Sequence, residues 1–189
     1  MSFLVLLIKY LIFYIYLYFS GKSLFQIINY FRKKVSSEKY ILMTRVEFLY
    51  PLLGIIFVSN ILFLLNTFFP LDSILVNLIL FLIIAPSFLQ SLINKNIMKV
   101  FKNKNLFSVF IYVLIPSILV ISSFDINFNY DAGYYHLLHQ NWLRESNLII
   151  GFVNIFWPLG MSSIYEYISA VLWFDTSFVL LHFLNLYFI

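Results

Sequence analysis

The residues best suited to chemistry lie in one short stretch, Asn129-Tyr-Asp-Ala-Gly-Tyr-Tyr-His-Leu-Leu-His-Gln-Asn-Trp142, with Arg144 just beyond it. It offers a carboxylate at Asp131, phenols at Tyr134 and Tyr135, imidazoles at His136 and His139, and a guanidinium at Arg144. A carboxylate within hydrogen-bond reach of a hydroxyl can take its proton. A cation or a helix N-terminus can meet a phosphate. Two imidazoles three residues apart could share a metal with Asp131, but no fourth ligand stands nearby in sequence, and no cofactor is implied. Each residue also has a plainer reading. Asp131 stands where a helical pattern begins and could simply cap that helix, and Arg144 could pair with Glu145 or lie in solvent.

These side chains need a helix to gather them. Helical spacing from Asp131 places Tyr135, His139 and Trp142 along one side, with His136 and Gln140 on a neighbouring stripe. Leu137 and Leu138 give the segment an apolar side, so a helix over 131–145 is expected to rest on a membrane boundary, with Trp142 and the tyrosines at headgroup level.

The membrane itself is implied by composition. Of 189 residues 62% are hydrophobic and 11% charged, with mean hydropathy +0.94. A soluble core could not hide that much apolar surface at this length, so the chain reads as an integral membrane protein. It contains no cysteine, which excludes disulfides and thiolate metal sites. The net charge of +4 does not point to nucleic acid, because ten of the twelve basic residues fall in two connectors, about 21–45 and 93–105.

Apolar runs predict spans at 3–20, 46–65, 73–92 and 106–124, each long enough for a hydrocarbon core of ~30 Å. Leu24 to Phe31, in the first connector, could form a short helix on the lipid surface. Pro86 should kink the third span. Basic connectors belong on the cytoplasmic side, so the N-terminus is expected outside and the segment after the fourth span is outside again. The expected fold is therefore all-α, a polytopic bundle of four to six membrane helices plus a surface helix. Residues 1–124 hold four transmembrane helices with basic cytoplasmic connectors. Residues 125–160 form an outer loop with an interfacial helix. Residues 161–189 form a re-entrant or transmembrane segment that reads as truncated. Glu166 and His182 interrupt that last apolar stretch; an acidic residue there also suits a transporter.

Tyr130-Asp-Ala-Gly-Tyr-Tyr-His136, the Trp142 that follows, Gly151-Phe-Val-Asn154 and Leu159-Gly-Met-Ser-Ser163 together resemble a family of bacterial multi-pass membrane proteins. That family is similar in turn to the GT-C glycosyltransferases, which take sugars from polyprenyl-phosphate carriers. The resemblance covers about residues 125–175. It implies the bacterial inner (plasma) membrane, cell-surface glycan assembly, a polyprenyl-phosphate sugar donor, and Asp131 as the catalytic base. Tyr134, Tyr135, His136, His139 and Arg144 would contact substrate. Four spans precede Asp131 where the usual plan has one, and Ala132 stands where a second acidic residue is common. The chain is accordingly expected to be inactive alone, with partners in the lipid bilayer and in a C-terminal half or another membrane subunit. A non-catalytic membrane subunit or a transporter or flippase component is the alternative.

Overall fold

A computed structural model describes residues 3–35, 49–93, 114–122, 130–161, 163–173 and 178–186, which are helix and turn with no strand among them. Helix α1 (Phe3–Val35) has 33 residues, α2 (Tyr50–Asn66) 17 and α3 (Ile74–Ile93) 20. At about 1.5 Å per residue, 20 residues reach ~30 Å, so α1 and α3 are long enough to cross a membrane. Their most apolar windows have mean hydropathies of 2.0 and 2.1, and only 28% and 17% of those windows is buried. Leu4, Ile8 and Ile12 on α1, and Leu78, Phe81 and Leu82 on α3, turn outward. Such large exposed apolar faces call for an apolar surrounding rather than water.

Short helices follow: α4 (Ile115–Ser122), α5 (Leu137–Glu145) and α6 (Tyr165–Val171), then α7 (Leu181–Leu186) after a 3-10 turn. Of the fourth span only 114–122 is described. Residues 36–45 of the first basic connector, nearly all of the second (94–105) and the start of the outer segment at 125–129 lie outside the described residues.

α1 and α2 run antiparallel and very close. Leu17 lies against Gly54, and Gly21 against Tyr50. The absence of a β-carbon lets the two backbones meet, the usual role of small residues between apolar helices. Here the structure departs from the expected first span, which ended at Ser20. Gly21 does not stop the helix, because it is used for packing, and the following polar residues find partners on α3. Ser23 Oγ lies 2.7 Å from Ser87 Oγ, and Lys22 Nζ donates to Ser91 Oγ at 2.6 Å. Gln26 Nε2 donates to Gln90 Oε1, and the Tyr16 hydroxyl to the Leu80 carbonyl at 3.3 Å. Leu24 to Phe31 therefore belong to α1, not to a separate surface helix. α3 runs parallel to α1 and continues through Pro86.

One end of this three-helix unit carries the rest of the described chain. There Leu6, Tyr10 and Leu17 of α1 and Ile55, Val58 and Leu62 of α2 share a core with Leu143, Tyr167, Ile168 and the α7 residues Phe183 and Leu184. Tyr10 meets Phe183 edge-on at 5.2 Å between ring centroids.

Candidate functional site

The helical stretch expected over 131–145 is present; it starts at Tyr130 and passes through a π-helical turn, Ala132–His136, before continuing as α5. The Leu137 N–H donates to the Ala132 carbonyl, a wider turn of the kind often found at functional sites. Asp131 does not cap it. Its backbone is already helical (φ −60°, ψ −35°), its side chain makes no capping bond, and the residue is exposed.

The far end of α5 is fastened to the α2–α3 turn. Leu71 N–H donates to Leu143 O at 3.0 Å and Asp72 N–H to Arg144 O at 3.3 Å. Asn66, fully buried, directs its Nδ2 at three carbonyls: Leu143 at 2.9 Å, Ser146 at 3.0 Å and Phe69 at 3.2 Å. The carbonyls left over at a helix C-terminus are satisfied in this way.

α6 is laid along α5 by two further contacts. Trp173 Nε1 donates to Gln140 Oε1 at 2.8 Å, and Arg144 Nη1 donates to Ala170 O at 2.9 Å while its guanidinium lies 5.5 Å from the Trp173 ring centroid. Arg144 thus turns towards α6 rather than towards Glu145 or open solvent, and works as a clamp that complements the C-terminal carbonyls of α6.

This clamp brings Glu166, in the first turn of α6, under the two histidines. His136 Nδ1 contacts Glu166 Oε1 and His139 Nδ1 contacts Glu166 Oε2, so each carboxylate oxygen has its own imidazole. The side chains of Glu166 and His139 are 5% exposed, that of His136 38%. An ionised carboxylate only accepts hydrogen bonds, so with Glu166 charged both Nδ1 atoms carry protons. In a neutral ring the remaining Nε2 is then a lone pair, and only that of His136 belongs to a partly exposed side chain. A carboxylate behind an imidazole fixes its tautomer and stabilises the imidazolium formed when it takes a proton.

Aromatic rings close the surroundings. Tyr135 is tilted against His136 at 4.2 Å, and Phe152 packs on Trp142 at 4.1 Å and edge-on to His139 at 6.1 Å. Tyr134, exposed, stacks with Tyr130 and meets Phe156 edge-on. Beside Glu166, burial pushes the Tyr165 hydroxyl up to about 12; Tyr167 is raised by burial and then by the Glu166 charge.

Of the expected site residues, His136 and His139 converge, Tyr135 touches His136, Tyr134 lies on the exposed side, and Arg144 braces α6. No group of three His, Asp or Glu side chains among the described residues is arranged for a metal. The metal set of Asp131 with the two histidines is therefore not formed; the histidines turn their Nδ1 atoms to Glu166 instead. Glu166, read from sequence as an isolated acid in an apolar run, is the centre of the cluster. Its solitary charge was the available signal. The chain matches no family model, no curated protein and no solved structure.

Proposed function

We propose that this chain is an integral membrane protein of a bacterial plasma membrane whose outer face carries a proton-accepting site for glycosyl transfer from a lipid-linked donor. The observation that carries the reading is Glu166 clasped between His136 and His139, with His136 alone partly exposed. Orientation is argued from charge. Arg32, Lys33 and Lys34 close the last turn of α1 and favour the cytoplasm. The His–Glu cluster sits at the opposite end, beside the C-terminus of α2, and so faces outward.

In this reaction the donor already has a good leaving group. An acceptor hydroxyl oxygen forms a bond to the anomeric carbon, and the bond from that carbon to the phosphate oxygen breaks. Polyprenyl phosphate departs with the electron pair, and the hydroxyl proton passes to His136 Nε2. Glu166 holds the resulting imidazolium, and His139 holds the second oxygen of Glu166 so that the carboxylate cannot rotate away. The base is thus His136 in place of Asp131, which stands exposed at the start of the same helical stretch. The resemblance of residues 125–175 to GT-C-like proteins supports the donor class.

A second reading, a transporter or non-catalytic membrane subunit, draws on the burial of Glu166 and His139, since enclosed carboxylate–imidazole pairs also relay protons. One experiment separates them. Because the chain is expected to need a C-terminal half or another membrane subunit, transfer to a glycan acceptor is followed in cells lacking the native copy. These are restored with the chain or with its His136→Ala or Asp131→Asn variant. Loss of general-base catalysis lowers turnover by ~10²–10⁴-fold, so His136→Ala should fall by that amount while Asp131→Asn stays active. Turnover surviving in His136→Ala but not in Asp131→Asn would return the base to Asp131. No turnover, with proton flux that depends on Glu166, would favour the transporter.

A further inference from the structure

Between Glu145 and Glu166 the chain has no charged residue and no histidine, and the first part of that interval folds back over α5. Its inner face is spent on packing: Phe152 lies against His139 and Trp142, and Leu159 is buried. Its outer face is also apolar, with Ile150 94% exposed, Ile155 72% and Trp157 67%, and with Ile149 and Val153 turned outward beside them. The shape is set locally. Gly151 takes φ +93°, a left-handed backbone that favours glycine, and two 3-10 turns, Phe152–Asn154 and Trp157–Met161, follow.

The position of this loop says what covers it. Leu148 N–H donates to Asn66 O at 2.7 Å, and the Asn66 side chain reaches both Ser146 O and Phe69 O. The loop therefore springs from the same point as the α2–α3 turn, where Phe68 and Ile74 are also exposed. Its apolar outer face is thus anchored at the end of the unit where the α2–α3 turn also exposes apolar side chains. An uncharged apolar face with a tryptophan at that level suits the boundary between headgroups and acyl chains.

The geometry points to the loop over residues 149–157 as a wedge seated in the outer lipid leaflet, holding the His136–Glu166 cluster at headgroup level. The partner is bulk bilayer lipid. The inference rests on the membrane reading above, but not on the transfer chemistry. It gives the site a source of lipid-borne substrate: a carrier phosphate would arrive at the height of His136 without leaving the bilayer.

The chain has no cysteine, so single nitroxide labels can be placed cleanly on the full protein in phosphatidylcholine–phosphatidylglycerol vesicles. Labels replacing Ile150, Ile155, Glu145 and Phe81 are compared by power saturation with oxygen and with a water-soluble nickel chelate. Ile150 and Ile155 should show an oxygen-to-nickel accessibility ratio several-fold above that of Glu145 and below that of Phe81 on α3. If both loop labels match Glu145 while Phe81 is lipid-exposed, the wedge is wrong and the membrane reading stands. If Phe81 is also open to nickel, the membrane reading itself fails. Loop labels closed to both reagents, or broadened by a second nitroxide, would mean that protein covers the loop and would overturn the proposal.

Discussion

A β-carbon added to Gly21 would lie 1.9 Å from the carbonyl oxygen of Tyr50. That oxygen is backbone and cannot swing aside, so the whole of α2 would have to move. Gly54 is in the same position against Leu17 O, at 2.1 Å. Gly133, by contrast, has nothing among the described residues within 4 Å of such an atom. Gly21→Ala should therefore lower stability by about 1–3 kcal/mol, as overpacking does, whereas Gly133→Ala should be neutral or stabilising by up to ~1 kcal/mol. Thermal unfolding in detergent micelles checks both, and equal midpoints would mean that α1 and α2 are not so closely packed.

Glu166→Ala leaves two imidazoles without an acceptor inside the protein. A buried donor left without its acceptor costs about 1–3 kcal/mol, so a marked loss of stability is expected. A Glu166→Leu, His139→Leu double variant should recover part of it, because removing both polar partners can be close to neutral. Losses that simply add would show that Glu166 and His139 do not interact.

Asn66 uses Nδ2 alone to satisfy three carbonyls, while its buried Oδ1 has no partner among the described residues. The opposite amide orientation would aim an oxygen at three oxygens. Asn66→Asp should consequently be worse than Asn66→Ala, for which ~1–3 kcal/mol is expected. The aspartate variant should regain stability at acidic pH, when it can donate. A less damaging aspartate, in thermal melts at neutral pH, would reverse the assigned orientation.

Burial raises the Tyr165 hydroxyl from the ordinary phenol value of 10.0 to about 12. A raised acid keeps its stabilising neutral form below the unfolded value. Its contribution is full below pH 10 and fades as pH climbs from there through about 12. Difference absorbance titration of the protein against Tyr165→Phe should show one late phenol; ordinary ionisation near 10 would place Tyr165 in water.

Opposite ends of α1 and α5 should label on opposite sides of the membrane. Cysteines replacing the exposed Lys34 and Asn147 can be challenged in intact cells with an impermeant thiol reagent. Position 147 should react and position 34 should not, and the reverse pattern would invert the orientation.

Much of the helical framework was legible because apolar runs announce themselves by length: α2 and α3 lie within a few residues of the expected 46–65 and 73–92. The helix bearing the histidines was legible from spacing. What misled was local punctuation. Gly21 resembles a helix end until α2 is seen against it, and Asp131 resembles a cap although Tyr130 is already helical. The Glu166 pairing was hidden for another reason. The acid lies 27 and 30 residues from its histidines, and no helical period relates positions on two different elements.

Three of the hydrogen bonds between α1 and α3 share one interval, while Lys22 to Ser91 spans 69 positions. Tyr16 to Leu80, Ser23 to Ser87 and Gln26 to Gln90 are each separated by 64 positions, so the two parallel helices mesh like a rack of evenly cut teeth. One added residue in α3 before Leu80 would rotate everything beyond it by about 100°, disengaging every tooth together. In a lipid surrounding, with no water to take over the freed hydroxyls and amides, there is no half-meshed position to settle in. The pair is either in step or apart, and the end that carries Glu166 inherits that definiteness.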